Sequence, residues 1–378
     1  MDVSTREVTA LRAVPIERSR LLPVDWLRGL VMVLMTVDHA SSSFNAGRLF
    51  GDSAQSWVPG TALPAAQFFT RWVTHLCAPT FLFLAGYSLF ISVQRRKRDG
   101  ASEAEITRFI AVRGLLIAAL DPVWMVFVHK GELVLQVLYA IGVSMMALSV
   151  LRRLPARVCG ALGLLIIVLH EAVATTFAHA DGVGRALLVF TLVPGRVDPF
   201  PVMYPVIPWL AVMLLGWAAA DVARRDPAAF KTRLVVAGVV ALGVFVVVRG
   251  LNGYGNAGVF RDDGSLIQWL HTAKYPASLA YLACELGLAW LLLAALWTAD
   301  LPVWLAVPLT VLGQNALFFY LLHYHLLRFG AWSTGLLRAS GLGATYLAAT
   351  LVIALLLPLC ARFRRYKVAH PESVAKYL

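Results

Sequence analysis

The stretch FFTRWVTHLCAPTFLFLAGYSLF (68–90), with the basic run RRKR (95–98) four residues beyond it, decides the fold. About 20 apolar residues cross a bilayer as a helix. Inside lipid the backbone must satisfy its own hydrogen bonds, so a run of this length is a helix and not a strand. The arginine-rich end then anchors it on the cytoplasmic side.

Working outward, the same pattern recurs along the chain. Ten spans are expected: 24–43, 67–93, 109–128, 133–151, 158–178, 204–222, 234–249, 275–297, 303–325 and 342–360. The stretch 184–193 is too short to cross and is expected to re-enter or to lie at the surface. Proline- and glycine-rich links at 194–205 and 250–264 read as turns. The fold class is therefore all-α, a polytopic membrane protein. A tail at 1–23, a transmembrane domain at 24–361 and a basic tail at 362–378 are its expected parts.

Composition agrees. Of 378 residues, 59% are hydrophobic and 14% charged, against about 25% charged in soluble chains. That excludes an ordinary soluble enzyme, a disordered chain and a disulfide scaffold. Cys77, Cys159, Cys284 and Cys360 all lie in apolar segments, and no metal site is expected from their spacing. Asp25 and Arg28 interrupt the first apolar stretch, which is not expected to be a cleaved signal. The net charge of +12 is placed as a topological signal, not as a nucleic-acid patch. One set of links and tails carries 21 Lys and Arg, the opposite set nine, with three more inside spans. Both termini are thus expected in the cytoplasm, in a multi-pass inner-membrane protein.

Charges inside spans are costly and usually functional or paired. In span 1, Arg28 and His39 are eleven residues apart, almost three full turns, so they share a face about 16 Å apart along the axis. Asp38 can hold the His39 ring only if the helix frays at Ser41, Ser42 and Ser43. In span 2, Arg71 and His75 share a face in the outer half. Span 9 places Asn315 near mid-membrane, with His323 and His325 toward the outer end. Asp121 and Glu171 are acids that could partner an outer-half histidine, and His170 adjoins the second. Three histidines from spans 1, 2 and 9 thus converge on the outer half, while Arg28 and Arg113 lie toward the inside. A cytoplasmic anion at one end and proton chemistry at the other is the reading this polarity supports.

These residues bring a resemblance with them. The stretches VDWLRGLVMVLMTVDHA (24–40), 68–90, YPVIPWLAVMLLGWA (204–218), KYPASLAYLACELG (274–287) and LGQNALFFYLLHYHLL (312–327) resemble the transmembrane acyltransferases related to heparan-alpha-glucosaminide N-acetyltransferase. The Arg28–His39 pair also looks like that of the wider acyltransferase-3 superfamily, where the histidine is taken as catalytic. One departure stands out. The heparan enzyme has its catalytic histidine in the outer loop after span 1, and here that loop (44–66) holds no histidine.

The resemblance implies acetyl-CoA, or another acyl-CoA, as donor and an extracytoplasmic carbohydrate or glycan as acceptor, with a sugar amine or hydroxyl receiving the acyl group. No metal or haem is expected. Arg28 and Arg113 would bind the CoA phosphates through their planar donor forks. His39 would be the general base. Asp38 would orient it, and His75 or Asn315 would donate to the thioester oxygen, with His323 in reserve for either role. Arg71, Lys274, Tyr275 and Trp209 are the expected acceptor contacts. The bilayer is the obligatory partner, nucleic acid is not one, and a homodimer is the assembly left open. Two rivals are a transporter or flippase of a glycan or small polar solute, and a haem-binding redox protein.

Overall fold

A computed structural model describes residues 22–370, 372 and 373. Nearly all of the expected N-terminal tail, and the last residues of the C-terminal one, lie outside the described residues. So do the termini whose cytoplasmic placement was expected.

The described chain is almost entirely helical. Its elements are α1 (Leu22–Phe44), α2 (Ala65–Trp72), a 3-10 turn (Val73–Leu76), α3 (Cys77–Arg98), α4 (Glu103–Val123), α5 (Val137–Leu151), α6 (Ala156–Thr176), α7 (Gly182–Thr191), β1 (Gly195–Val197) and β2 (Phe200–Val202). There follow α8 (Val206–Arg225), α9 (Pro227–Leu251), α10 (Leu266–Leu270), α11 (Leu279–Leu296), α12 (Val303–Gln314), α13 (Ala316–Ser333) and α14 (Leu342–Ala369).

Among the described residues, seven helical segments are long and apolar enough to cross a membrane, and an eighth if the bent pair α12 and α13 counts as one. Ten were expected. The two that fall short have physical reasons: α1 carries Asp25, Arg28 and Asp38, and α5 has only 15 residues. Three further corrections concern boundaries. Span 9 is not one continuous helix but bends by 90° at Asn315. The helix expected from residue 275 begins at Leu279. The link read as a turn at 194–205 contains a small antiparallel ribbon, with Arg196 opposite Pro201. The basic residues Arg362, Arg364 and Arg365 ride on the end of α14, which continues to Ala369.

The chain divides into two compact units, residues 1–45 with 291–378, and residues 46–290. In the first, α1 packs on α12, α13 and α14. Its contact with α12 is reciprocal at two glycines. A Cβ on Gly29 would strike the Leu309 carbonyl, and one on Gly313 would strike that of Asp25. At the far end of α1, Ala40 and Phe44 pack with Leu327, Ala331 and Ala349. The Arg338 and Ser340 amides donate to the Ser43 and Phe44 carbonyls and close that end.

In the second unit α3 and α8 form the centre, with 72% of the apolar window of each spanning segment buried. Gly86 and Gly216 bring their backbones together as Gly29 and Gly313 do in the first unit. Around them α4, α6 and α9 bury only 22–28% of their windows and turn leucines and valines such as Leu164, Leu165, Val239 and Val240 outward. Apolar surface of that extent belongs against lipid and not water.

Candidate functional site

Each unit holds a buried polar cluster built around a histidine. In the first, α1 and α13 bring His39 and His323 together, with Nδ1 of His39 2.7 Å from Nε2 of His323. His323 is fully buried. Its Nδ1 lies 3.1 Å from the Phe319 carbonyl one turn earlier. A carbonyl oxygen only accepts, so Nδ1 of His323 carries the hydrogen. In the neutral ring Nε2 is then the acceptor, which puts the hydrogen of His39 on its Nδ1 and its lone pair on Nε2. Tyr324 stacks on the His39 ring at 4.1 Å, and Tyr320 meets it edge-on. The Ser42 hydroxyl donates to the His39 carbonyl at 2.8 Å. Two neighbouring rings and one hydrogen bond therefore fix the orientation of this imidazole. Chemically the arrangement selects, through a second ring, which nitrogen of His39 carries a lone pair able to accept a proton.

The helix stays regular through Ser41, Ser42 and Ser43 to Phe44. The fraying that would swing Asp38 onto His39 is absent. Sequence reasoning had held His323 in reserve, and it did not single out Tyr320 or Tyr324.

Three turns earlier on α1, Arg28 donates to Asp25 at 2.9 Å and to the Gly313 carbonyl at 3.1 Å. The Gln314 amide donates to the other Asp25 oxygen at 2.8 Å. Trp26 donates to Thr310 at 3.0 Å. The small residues Gly29 and Gly313 permit this, because only a close backbone approach lets Arg28 reach a carbonyl on α12. Asn315 stands at the bend between α12 and α13. Its Nδ2 donates to the Val311 carbonyl at 2.7 Å, and its Oδ1 is buried with no donor facing it among the described residues.

The second cluster gathers Arg71, His75, Lys274, Tyr275 and Trp209, all chosen from the sequence, around a residue that was not, Asp52. Arg71 is ion-paired with the Asp52 carboxylate, and His75 Nε2 lies 3.2 Å from the same oxygen. The Lys274 amide donates to the Asp52 carbonyl at 2.8 Å, and the Ala54 amide to that of Tyr275 at 3.1 Å. The loop after α1 is thus zipped to the segment before α11. His271 donates to the Gly51 carbonyl at 2.8 Å. Burial alone would raise the Asp52 carboxyl. The Arg71 guanidinium, the His75 hydrogen bond and the Lys274 charge outweigh it and hold the group well below the usual carboxylate range. Tyr281 donates to the His75 carbonyl at 3.0 Å. The Tyr204 and Tyr275 hydroxyls are 3.3 Å apart, and the Tyr204 ring leans on buried Trp209 at 5.0 Å. Asp52 escaped notice because a carboxylate in an outer loop costs nothing in a hydropathy reading, and that loop was searched for histidine.

The remaining sequence candidates play other parts. Of the three histidines expected to converge, His39 and His323 meet in the first unit, and His75 lies in the Asp52 cluster of the second. Asp121 and Glu171 do not hydrogen-bond a histidine among the described residues. Asp121 accepts from the Gln136 and Tyr139 amides at the start of α5, and Glu171 from the Ala257 amide. Asp121 does the work of a cap, and Glu171 ties down the loop after α9. His170 bonds the Ala277 carbonyl at 2.9 Å. Arg113 lies half-buried on α4. His325 bonds the Leu321 carbonyl, one turn earlier on α13.

A family model described as the catalytic region of heparan-alpha-glucosaminide N-acetyltransferase matches residues 20–247, more than half of the chain. No curated protein matches it significantly.

Proposed function

The chain belongs to the heparan-alpha-glucosaminide N-acetyltransferase catalytic family of membrane acetyltransferases, and we propose that it moves an acetyl group from cytoplasmic acetyl-CoA to an extracytoplasmic sugar amine or hydroxyl, with His39 as general base. The observation that carries this reading is the hydrogen bond from His39 Nδ1 to His323 Nε2, backed by the Phe319 carbonyl. It leaves the lone pair on His39 Nε2, which takes the acceptor's proton as its oxygen or nitrogen attacks the thioester carbonyl. The carbon–sulfur bond then breaks, and the departing CoA thiolate recovers a proton from the imidazolium. Such catalysis supplies typically ~10²–10⁴-fold.

Arg28 serves the phosphates. Asp25 shares Arg28, so the phosphate competes with a carboxylate for one guanidinium and the site releases CoA without a trapped anion. The orphaned Asn315 oxygen suits an amide N–H of the pantetheine arm, since a buried acceptor left alone costs about 1–3 kcal/mol. Lys274, Tyr275 and Trp209 are the acceptor contacts in this reading, with Arg71 and His75 holding Asp52 and its loop in place. In this reading the chain resides in the inner membrane.

The experiment is CoA release from acetyl-CoA by the purified chain, with glucosamine as test acceptor, compared with His39→Ala. Loss of turnover with retained thermal stability is expected. Full turnover of His39→Ala ends the assignment.

A further inference from the structure

A second binding site lies among helix ends that acyl transfer does not use. The last turns of α3, the link from α5 to α6 and the last turns of α8 surround a cavity of ≈ 210 Å³. Asp221 and Arg225 also wall a neighbouring cavity of ≈ 390 Å³, which Arg157 lines as well. The larger sits at the small end of the ~300–1,000 Å³ that drug-sized ligands occupy and the smaller lies below it, the scale of a headgroup more than of a whole nucleotide cofactor.

The lining is strongly basic. Lys97, Arg152, Arg157, Arg224 and Arg225 contribute, and Asp221 is the one acid among the lining residues. Asp221 holds Arg224 and Arg225 at 2.8 and 2.7 Å. Glu103, outside the lining, holds Lys97 at 2.6 Å and Arg152 at 2.7 Å. Five cations against two carboxylates leave a positive balance. The Arg152 side chain is only 2% exposed, and its Nε is buried without an acceptor. The 21-residue α6 also starts here, behind Pro155, with no side chain capping its first amides. Uncapped amides at a helix N-terminus favour an anion. The opposite dipole ends of α3 and α8 are met by their own Lys97, Arg224 and Arg225.

Below the charges the wall turns apolar, with Phe90 and Trp217 edge to face at 5.0 Å beside Val93. A free phosphate has no use for such a wall, whereas the glycerol and first methylenes of a lipid do. All the cations come from segments at the basic ends of apolar helices, where an anionic leaflet meets the protein. We propose that this cavity holds the headgroup of an acidic phospholipid between α3, α6 and α8, as a site separate from the acyl-transfer machinery.

The test is native mass spectrometry of the full chain, offered phosphatidylglycerol and phosphatidylcholine of matched acyl chains. The wild type is expected to retain phosphatidylglycerol several-fold better. Arg224→Gln with Arg225→Gln should bring the two lipids to parity, at unchanged thermal midpoint and acetyl transfer. Asp221→Asn removes the competing carboxylate and should raise phosphatidylglycerol retention, which tests the site even where the double variant folds poorly. Equal retention of both lipids by the wild type overturns the proposal, as does an undiminished preference in a folded double variant or no gain in Asp221→Asn. Inorganic phosphate and CoA form the competing arm. Displacement of the lipid by either at millimolar concentration would make this a soluble-phosphate site and overturn the lipid assignment.

Discussion

Removing the imidazole behind the base should slow the reaction without emptying the site. His323→Ala deletes the acceptor that holds the hydrogen of His39 Nδ1 at 2.7 Å. One hydrogen bond contributes about 0.5–1.5 kcal/mol net, and a buried donor left without a partner costs about 1–3 kcal/mol. If that energy is what keeps the lone pair on Nε2, its loss converts to roughly 5–150-fold in kcat, at 1.36 kcal/mol per tenfold. The KM for acetyl-CoA should stay unchanged, because Arg28, the proposed phosphate ligand, is untouched. His323→Gln carries a carbonyl oxygen far enough out to accept from His39 and should recover part of the rate. A cycle with His39→Ala adds a second check: once the base is gone, losing His323 should cost little more. Steady-state CoA release by the wild type, the three single variants and the double alanine variant decides it. Wild-type kcat in His323→Ala, or a glutamine variant no better than alanine, would refute the relay between the two rings.

Three further outcomes follow from the packing and the charges. Asp52→Asn leaves Arg71 buried without its counter-ion and should cost about 3–5 kcal/mol in thermal unfolding. The folded carboxyl is held below its ordinary value of 3.8, so its contribution is full above that pH and is lost as the pH falls further. The stability gap between wild type and Asp52→Asn should therefore stay flat from pH 5 to pH 8 and narrow only in stronger acid. Gly313→Ala drives a methyl into the Asp25 carbonyl and should destabilise by about 1–3 kcal/mol, with the α1–α12 contact loosened; a neutral melting curve would contradict the close approach. Arg28→Ala should weaken acetyl-CoA binding, seen as a raised KM with a smaller change in kcat. The reverse pattern would move Arg28 from binding to chemistry.

Much of this was legible in the sequence, and the reasons differ from place to place. Apolar runs announced the helices because lipid allows few other backbones. The shared face of Arg28 and His39 followed from helical spacing alone. The bend at Asn315 was invisible, since apolar runs continue on both sides of Gly313, Gln314 and Asn315 and read as one span, with no proline there to mark a 90° turn. Pairings across long separations were equally hidden. Asp25 was seen as a costly charge without its partners on α12. His323 was one of several candidates until α13 set it beside α1. Asp52 gave no signal at all, being an ordinary loop acid whose importance arises from the cations that the fold gathers round it.

The link from His323 to the Phe319 carbonyl has a consequence for how this chemistry can vary. A carbonyl is present whatever side chain occupies position 319. Substitutions there can reshape the neighbourhood of the ring, but they cannot by themselves delete the acceptor that decides which nitrogen of residue 39 carries the hydrogen. That choice is written into the main chain and passes unaltered through any mutation that leaves this turn of α13 helical.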